Sequence, residues 1–292
     1  MKKSKIIGVA LTTLLLTSCS NNDQSSSSSP SSSSQSSSTP PSSSIDVYLH
    51  DSIKLYNEVE RVMKNQVYEI ITKGISINDA ASSPLTIYGL YQQNNGEIYF
   101  ENVSNGNAIL FFNVAFAERA YVNKDVIHRQ SATTNKKWPE DDGVVTVNNY
   151  GEVRDSTQQE LINEFGKEND QLCNFVIDYD TVKDINNSVV KENDNYLCHY
   201  DILIDPNDSL NSKGVKGYAN QVYTMSKKTV KKINKISMDF VIDKDFKIIE
   251  YKTKEEYVVK TGMPLISEAK VTNNLTYSFK YYDDGDLVVK KF

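Results

Sequence analysis

The sequence predicts an α+β fold that is mostly antiparallel β. In it a curved sheet or half-barrel wraps around one long N-terminal helix and one or two short helices. Three observations lead to this class. Apolar residues near position 60 recur at steps of three and four, which is helical spacing. Apolar and polar residues alternate over long runs in the C-terminal third, which is strand spacing. Between them lie short β-branched and aromatic runs separated by turn-forming residues.

The first 19 residues have the pattern of a secretory signal. A positive start, MKKSK, precedes the apolar run Ile6–Leu16, which is shorter than the roughly 20 residues that a membrane-spanning helix needs. The following residues, LTSC ending at Cys19, resemble the lipobox of bacterial lipoproteins. In that family the cysteine receives a diacylglyceryl group and becomes the new N-terminus. The alternative is an ordinary signal peptide with an incidental cysteine.

A serine tract separates Cys19 from the remainder of the chain. Sixteen of the 25 residues from 20 to 44 are serine, and such a segment cannot bury enough surface to fold. We therefore expect a lipoprotein signal peptide at 1–18, a lipidated Cys19 with a disordered Ser/Pro-rich tether at 19–44, and a single β-rich extracytoplasmic domain at 45–292. Two acyl chains anchor a protein stably. The expected location is the extracytoplasmic side of the cell membrane.

The first element of the domain is predicted as one long helix from Asp46 to Lys73. Gly74 then stands where a glycine commonly ends a helix. The apolar stripe of this helix consists of Ile53, Tyr56, Val59, Met63, Val67 and Ile70.

Strands are predicted from Leu85 onward. The strand-like runs are LTIYGLYQQ, EIYFENV, NAILFFNVAF, RAYVNKDVI and VVTVNNY, with NNG and SNGN as turns. A short helix should follow, with Ser156 and Gln159 as its capping box and Gly166 at its end.

Cys173 and Cys198 each lie in a predicted strand, QLCNFVIDY and NYLCHYDILI. Outside the cytoplasm two cysteines can form a structural disulfide if their strands are neighbours. The alternative is a pair of buried free thiols, because the sequence alone does not fix the pairing.

The C-terminal third predicts a meander of long strands. Ile236, Met238, Phe240 and Ile242 alternate with polar residues ahead of a turn, DKD. The last long strand has one dry face and one wet face. The dry face carries Ala269, Val271, Leu275, Tyr277, Phe279 and Tyr281, interrupted only by Asn273.

A lipid anchor, a first helix and a C-terminal meander of long alternating strands together resemble the LolA/LppX-like half-barrel lipoproteins. The resemblance covers residues 46–292 and is carried by no residue motif. It implies a concave apolar face that holds acyl chains or another amphiphile. On that basis we expect an apolar pocket lined by Tyr56, Val59, Met63, Val67, Ile70, Phe240, Tyr277 and Phe279.

The sequence gives little indication of catalysis. It contains no HExxH, GxSxG or Walker loop, so we expect a protein that is not an enzyme and has no cofactor or metal. SVVK, SLN and KTG follow the order of the motifs of penicillin-recognising enzymes, but SVVK lies in a polar, turn-like context late in the chain. The formal net charge is −6, which argues against nucleic acid as a partner.

Two functions remain. The first is a lipid-anchored cell-surface binding protein that holds a lipid or other amphiphile in the concave face of its sheet. The alternative is an adhesion or structural envelope module with no small-molecule ligand. A binding protein of this kind should keep the concave face hollow, whereas an adhesion module should fill it with side chains. The sequence does not identify a protein partner.

Overall fold

The computed structural model describes the folded domain in ten segments. They are residues 46–63, 65–79, 83–106, 115–123, 126–157, 160, 185–211, 230–260, 267–283 and 285–292. Cys19 and the serine tract lie outside the described residues.

The described elements are one α-helix, thirteen strands and two 3-10 turns. The helix α1 is Ser52–Met63, and the 3-10 turns are Val47–Leu49 and Ser209–Asn211. The first eight strands are β1 Val67–Asn78, β2 Leu85–Asn94, β3 Glu97–Asn105, β4 Ala115–Asn123, β5 Val126–Thr134, β6 Glu140–Asp141, β7 Val144–Val145 and β8 Arg154–Thr157. The others are β9 Ile185–Glu192, β10 Asn195–Ile202, β11 Val230–Ile242, β12 Ile248–Lys260 and β13 Glu268–Tyr282.

Eleven of these strands form one antiparallel, curved and open sheet in the order β8-β5-β4-β3-β2-β1-β13-β12-β11-β10-β9. Strands β6 and β7 form a separate two-stranded ribbon. The predicted fold class is confirmed. The C-terminal meander is also confirmed, because β11, β12 and β13 pair in sequence order.

The predicted N-terminal helix was too long. Helix α1 begins after Asp51, whose carboxylate accepts the Lys54 N–H at 3.0 Å, and it ends at Met63. The segment after Gln66 is strand β1. Its β-branched and aromatic residues, VYEIITKGISI, fit an alternating pattern as well as a helical one, and pairing with strands on both sides decides between the two.

Gly74 lies within β1 and does not end a helix. A Cβ atom at this position would lie 2.1 Å from the Asn274 carbonyl oxygen and 2.8 Å from Leu275 Cδ2. The glycine therefore permits close approach of β1 and β13, which is a common reason for a glycine inside a strand.

The inner face of the sheet carries the larger hydrophobic cluster. Helix α1 buries Leu55, Tyr56, Val59 and Met63 against it. The predicted dry face of β13 is confirmed, with Ala269, Val271, Leu275 and Tyr277 all buried. The Tyr281 hydroxyl donates to the Ile248 carbonyl oxygen at 2.8 Å and lies 3.1 Å from Met63 Sδ, which ties the end of the helix to the sheet.

A second hydrophobic cluster lies on the outer face of β2 to β5 and was not predicted. The residues after β13 and the connection between β5 and β8 cover it. Its buried members are Tyr88, Leu90, Tyr99, Val103, Ala115, Ala117, Tyr121, Ala132, Trp138, Val145 and Val289. The Arg119 guanidinium lies 4.1 Å from the Tyr150 ring centroid and 4.4 Å from that of Phe292, so it joins the two covering segments.

Several boundaries differ from the prediction. RAYVNKDVI is not one strand, because β4 ends at Asn123 and β5 begins at Val126. In VVTVNNY only Val144 and Val145 are in a strand.

The capping box is one residue later than predicted. Thr157 N–H donates to Glu160 Oε2 and Glu160 N–H donates to Thr157 Oγ1, at 2.9 and 3.2 Å.

The Met63→Asp variant tests the packing of α1 on the sheet. Met63 is 3% exposed, so an aspartate there would place an unpaired charge in the apolar cluster. We expect a loss of about 3 kcal/mol or more in the free energy of unfolding, measured by urea denaturation. Asn57→Asp introduces the same charge on the exposed side of the same helix and should change the stability by less than about 0.5 kcal/mol. Equal stability of the two variants would contradict this packing.

The Gly74→Ala variant tests the close approach of β1 and β13. The added methyl group would overlap the Asn274 carbonyl oxygen, so the strands must separate. We expect a loss of about 1–3 kcal/mol in unfolding free energy. Gly151→Ala is the matched control. Its Cβ would lie 3.4 Å from the Ser131 carbonyl oxygen, which is an ordinary van der Waals distance and requires little movement. A destabilisation by Gly151→Ala as large as that of Gly74→Ala would exclude the steric explanation.

Candidate functional site

The structure gathers most of the predicted pocket residues on the inner face of the sheet. Tyr56, Val59, Met63, Ile70, Phe240 and Tyr277 are buried in the inner cluster, and Phe279 is half-buried against it. Val67 is the exception. It is 8% exposed, belongs to neither hydrophobic cluster, and lies at the start of β1 rather than on a helix.

An aromatic ladder crosses the inner face. Phe240 on β11, Tyr251 on β12 and Tyr277 on β13 are direct cross-strand neighbours. The ring centroids are 4.4 Å apart in the first pair and 4.8 Å apart in the second, and both pairs are stacked. Each ring is at most 3% exposed, so this part of the concave face is filled by side chains.

A polar cluster lies beside the aromatic ladder. The Asn273 side-chain amide donates to Glu255 Oε2 at 3.0 Å and contacts the Tyr257 hydroxyl at 2.8 Å. Glu255 is 1% exposed and Asn273 is fully buried. Burial, together with the nearby Glu255 carboxylate, raises the pKa of the Tyr257 hydroxyl far above its usual range. The hydroxyl is therefore protonated and neutral at every physiological pH.

Two further hydroxyls border this cluster. Ser76 on β1 is the cross-strand neighbour of Asn273, and Thr253 lies two residues before Glu255 on β12. Both side chains are at most 4% exposed. The cluster thus forms a polar patch across three adjacent strands of an otherwise apolar face. In the sequence only Asn273 stands out, as an interruption of a dry strand face, because a Glu or Ser within an alternating strand resembles an ordinary solvent-facing residue.

The predicted disulfide has one end in the described part of the chain. Cys198 on β10 is buried and forms no disulfide with another described residue, and burial raises the pKa of its thiol to about 12. Cys173 lies outside the described residues, so the pairing stays a prediction.

The SVVK, SLN and KTG segments do not converge within the described residues. Ser188 and Lys191 lie on β9, and Lys260 ends β12. Two strands separate β9 from β12, a lateral distance of about 14 Å. The Lys191 ammonium group is bound to the Asp46 carboxylate at 2.7 Å. This arrangement lends no support to acyl-enzyme chemistry.

Within the described segments, no helix combines the length and the apolar character needed to cross a membrane. The same segments contain no group of three or more His, Cys, Asp or Glu side chains that could hold a metal ion.

Comparison with known proteins gives matches among solved structures. No protein-family model matches this chain, and no curated protein sequence matches it. A domain named for outer membrane lipoprotein sorting, from Vibrio parahaemolyticus, is 10% identical, with a TM-score of 0.28, and the match covers 81% of this chain and 93% of that one. A DUF1329 family protein from Desulfovibrio piger is 8% identical, with a TM-score of 0.28, over 82% and 95% of the two chains.

A LolA superfamily protein from Nitrosomonas europaea is 8% identical, with a TM-score of 0.24, and the match covers 82% of this chain and 96% of that one. The LolA family, which the sequence resembles, is thus named among the matching structures. The strand order and register of this chain by themselves define its fold.

The Asn273→Leu variant tests whether the polar cluster is a connected unit. Leucine fits an apolar face but cannot donate, so the Glu255 carboxylate and the Tyr257 hydroxyl each lose a hydrogen bond in a site without water access. We expect a loss of about 2–3 kcal/mol in unfolding free energy. Asn274→Leu, on the exposed face of the same strand, is the control and should be nearly neutral. A neutral Asn273→Leu variant would mean that the amide contributes nothing to stability.

Alkylation tests the state of Cys198. In the folded protein without reductant, iodoacetamide at neutral pH should leave the thiol unmodified, because it is buried and protonated. In denaturant, still without reductant, mass spectrometry should show a carboxamidomethyl group on Cys198. A peptide that is modified only after reduction would instead demonstrate a disulfide.

Proposed function

We propose that this protein is a lipid-anchored binding protein of the bacterial cell surface, and that the inner face of its curved sheet receives the apolar part of a lipid or other amphiphile. The membrane partner is engaged through lipidated Cys19, and the serine tract holds the domain away from the bilayer. On this proposal the protein is not an enzyme and uses no cofactor.

The extent of the apolar inner face is the observation that carries the proposal. Helix α1 has 12 residues, so it is about 18 Å long and roughly 10 Å wide. Eleven strands span about 48 Å across the sheet. Apolar side chains line the inner face along β1, β2, β3, β11, β12 and β13, an area much wider than α1. Such a face is suited to an acyl chain.

An acyl chain would enter beside the aromatic ladder. Phe279 and Tyr281 are the half-buried aromatic residues at the end of the inner cluster next to α1. They lie on β13 in line with the buried Tyr277, so a bound chain could continue the apolar contact from the rim inward. The stacked rings of the ladder limit the depth of entry.

The adhesion or structural alternative is favoured by that same ladder. Phe240, Tyr251 and Tyr277 fill the part of the inner face that they occupy, as expected of a module with a closed core. The two functions differ in whether the purified protein retains or takes up an amphiphile.

Native mass spectrometry with organic extraction distinguishes the two functions. The protein is residues 19–292 with Cys19→Ala, purified from bacteria without detergent. The proposal predicts a retained mass that extracts as a lipid, or saturable binding of cis-parinaric acid by fluorescence. Phe279→Asp should weaken that binding, whereas Lys280→Asp, on the exposed neighbouring position, should not. A protein that carries no lipid and leaves cis-parinaric acid fluorescence unchanged would refute the proposal and favour the envelope module.

A further inference from the structure

A polar pocket lies where β1 begins, β2 turns into β3 and β13 ends. Its side chains differ in chemistry from those of the inner face. We propose that this pocket is a second binding site, and that it takes a neutral polyhydroxylated ligand, a saccharide. The inference does not depend on the proposed lipid site. It rests on the volume of the pocket, the side chains that line it and the hydrogen bonds that fix their orientation.

The pocket has a volume of about 450 Å³, within the range of about 300–1,000 Å³ that is typical of small-molecule sites. Three parts of the chain meet there, namely the connection from α1 to β1, the turn from β2 to β3 and the end of β13. The described residues that line it are Asn65, Gln66, Val67, Gln93, Asn95, Gly96, Tyr282 and Asp283. Four of these carry carboxamide side chains, and Val67 is the one aliphatic member.

The Gln93 side chain is held in one orientation. Its Oε1 accepts hydrogen bonds from the Tyr91 hydroxyl at 3.0 Å and the Tyr68 hydroxyl at 3.4 Å. A carboxamide has one acceptor oxygen and two N–H donors. Because both tyrosines occupy the oxygen, the Nε2 group is the part of Gln93 that remains available as a donor to a molecule in the pocket.

The Asn65 side chain has the opposite arrangement. Its Nδ2 donates to the Arg61 carbonyl oxygen at 3.0 Å, at the C-terminal end of α1. Oδ1 of Asn65 is therefore the part that remains available as an acceptor. Asp283 also lines the pocket, and its carboxylate has two acceptor oxygens. The pocket thus presents an oriented donor and several acceptors before any ligand arrives.

Tyr282 contributes an aromatic ring whose position is supported from outside the pocket. Its hydroxyl donates to Glu69 Oε1 at 3.5 Å, and the other carboxylate oxygen of Glu69 accepts from Gln92 Nε2 at 2.6 Å. The Lys280 ammonium group lies 4.6 Å from the ring centroid. An aromatic ring beside hydrogen-bonding groups suits a ligand with both C–H and O–H surface.

These groups determine the class of ligand. Among the described lining residues there is no Lys or Arg, and Asp283 is acidic, so this part of the lining favours a neutral ligand over a phosphate or carboxylate. One valine offers too little apolar area for an acyl chain. A sugar hydroxyl both donates and accepts, which matches oriented amide donors and acceptors together with a carboxylate. The saccharide can be free or the head group of a glycolipid.

Maltotriose and dodecyl maltoside, the latter below its micellar concentration, distinguish the two sources. Chitotriose and galactose extend the range of sugars tested, and inositol hexakisphosphate serves as an anionic polyol. Saturation-transfer NMR and chemical-shift titration are run on residues 19–292 with Cys19→Ala. We expect saturable binding of at least one neutral sugar, with shifts at Gln93 and Asn65, and no binding of the hexakisphosphate. Binding of both dodecyl maltoside and maltotriose that Asn65→Trp weakens indicates a free sugar. Binding of dodecyl maltoside alone that Asn65→Trp weakens indicates a glycolipid head, because uptake of the dodecyl chain by the inner face would not respond to this variant.

Two variants locate the binding. Asn65→Trp places an indole in the pocket and should raise the dissociation constant by about tenfold or more. Asn57→Trp adds the same side chain to the exposed face of α1 and should leave it unchanged. Asp283→Ala should also weaken the binding, because it removes two acceptors. Absence of binding by every sugar and by dodecyl maltoside, or binding that Asn65→Trp leaves unchanged, would overturn the inference. Neither result bears on uptake of cis-parinaric acid by the inner face.

Discussion

The ladder between β1 and β13 holds the rest of the structure together. On one side of it lies the meander of β1 to β5, and on the other the meander of β9 to β13. The ladder runs over the whole length of β1, from Val67 opposite Tyr282 to Asn78 opposite Val271. Gly74 permits the close approach of the two strands near its middle. Without this pairing neither the common inner face nor the three-strand polar patch would exist.

The two halves of the sheet use their outer faces differently. Over β2 to β5 the outer face is apolar and is covered by Trp138 and by the residues that follow β13. Over β10 to β12 it is polar, with the ion pair of Lys252 and Glu250 and the hydrogen-bonded pair of His199 and Asp239 exposed to solvent. One half of the sheet thus carries apolar clusters on both faces, and the other half carries one on the inner face alone.

The inner face and the polar pocket would bind their ligands through different interactions. The inner face offers apolar area, where affinity scales with buried surface and specificity is low. The polar pocket offers oriented hydrogen-bonding groups. A ligand that does not match them leaves buried polar groups without hydrogen-bond partners, which lowers its affinity. Val67, expected in the apolar pocket, lines the polar one, because the chain is a strand at that position and its successive side chains point to opposite faces.

The sequence by itself determined the fold class, the turn between β2 and β3, and the inward face of β13. Each follows from local chemistry, since alternation and turn-forming residues act over a few positions. Only the tertiary structure decided the end of α1 at Met63. The segment after it satisfies both helical and strand spacing, and β13, some two hundred residues further along the chain, supplies its pairing partner. Contacts between distant segments likewise determine the outer cluster, the polar patch and the orientations of the Asn65 and Gln93 amides. No local sequence pattern predicts such contacts.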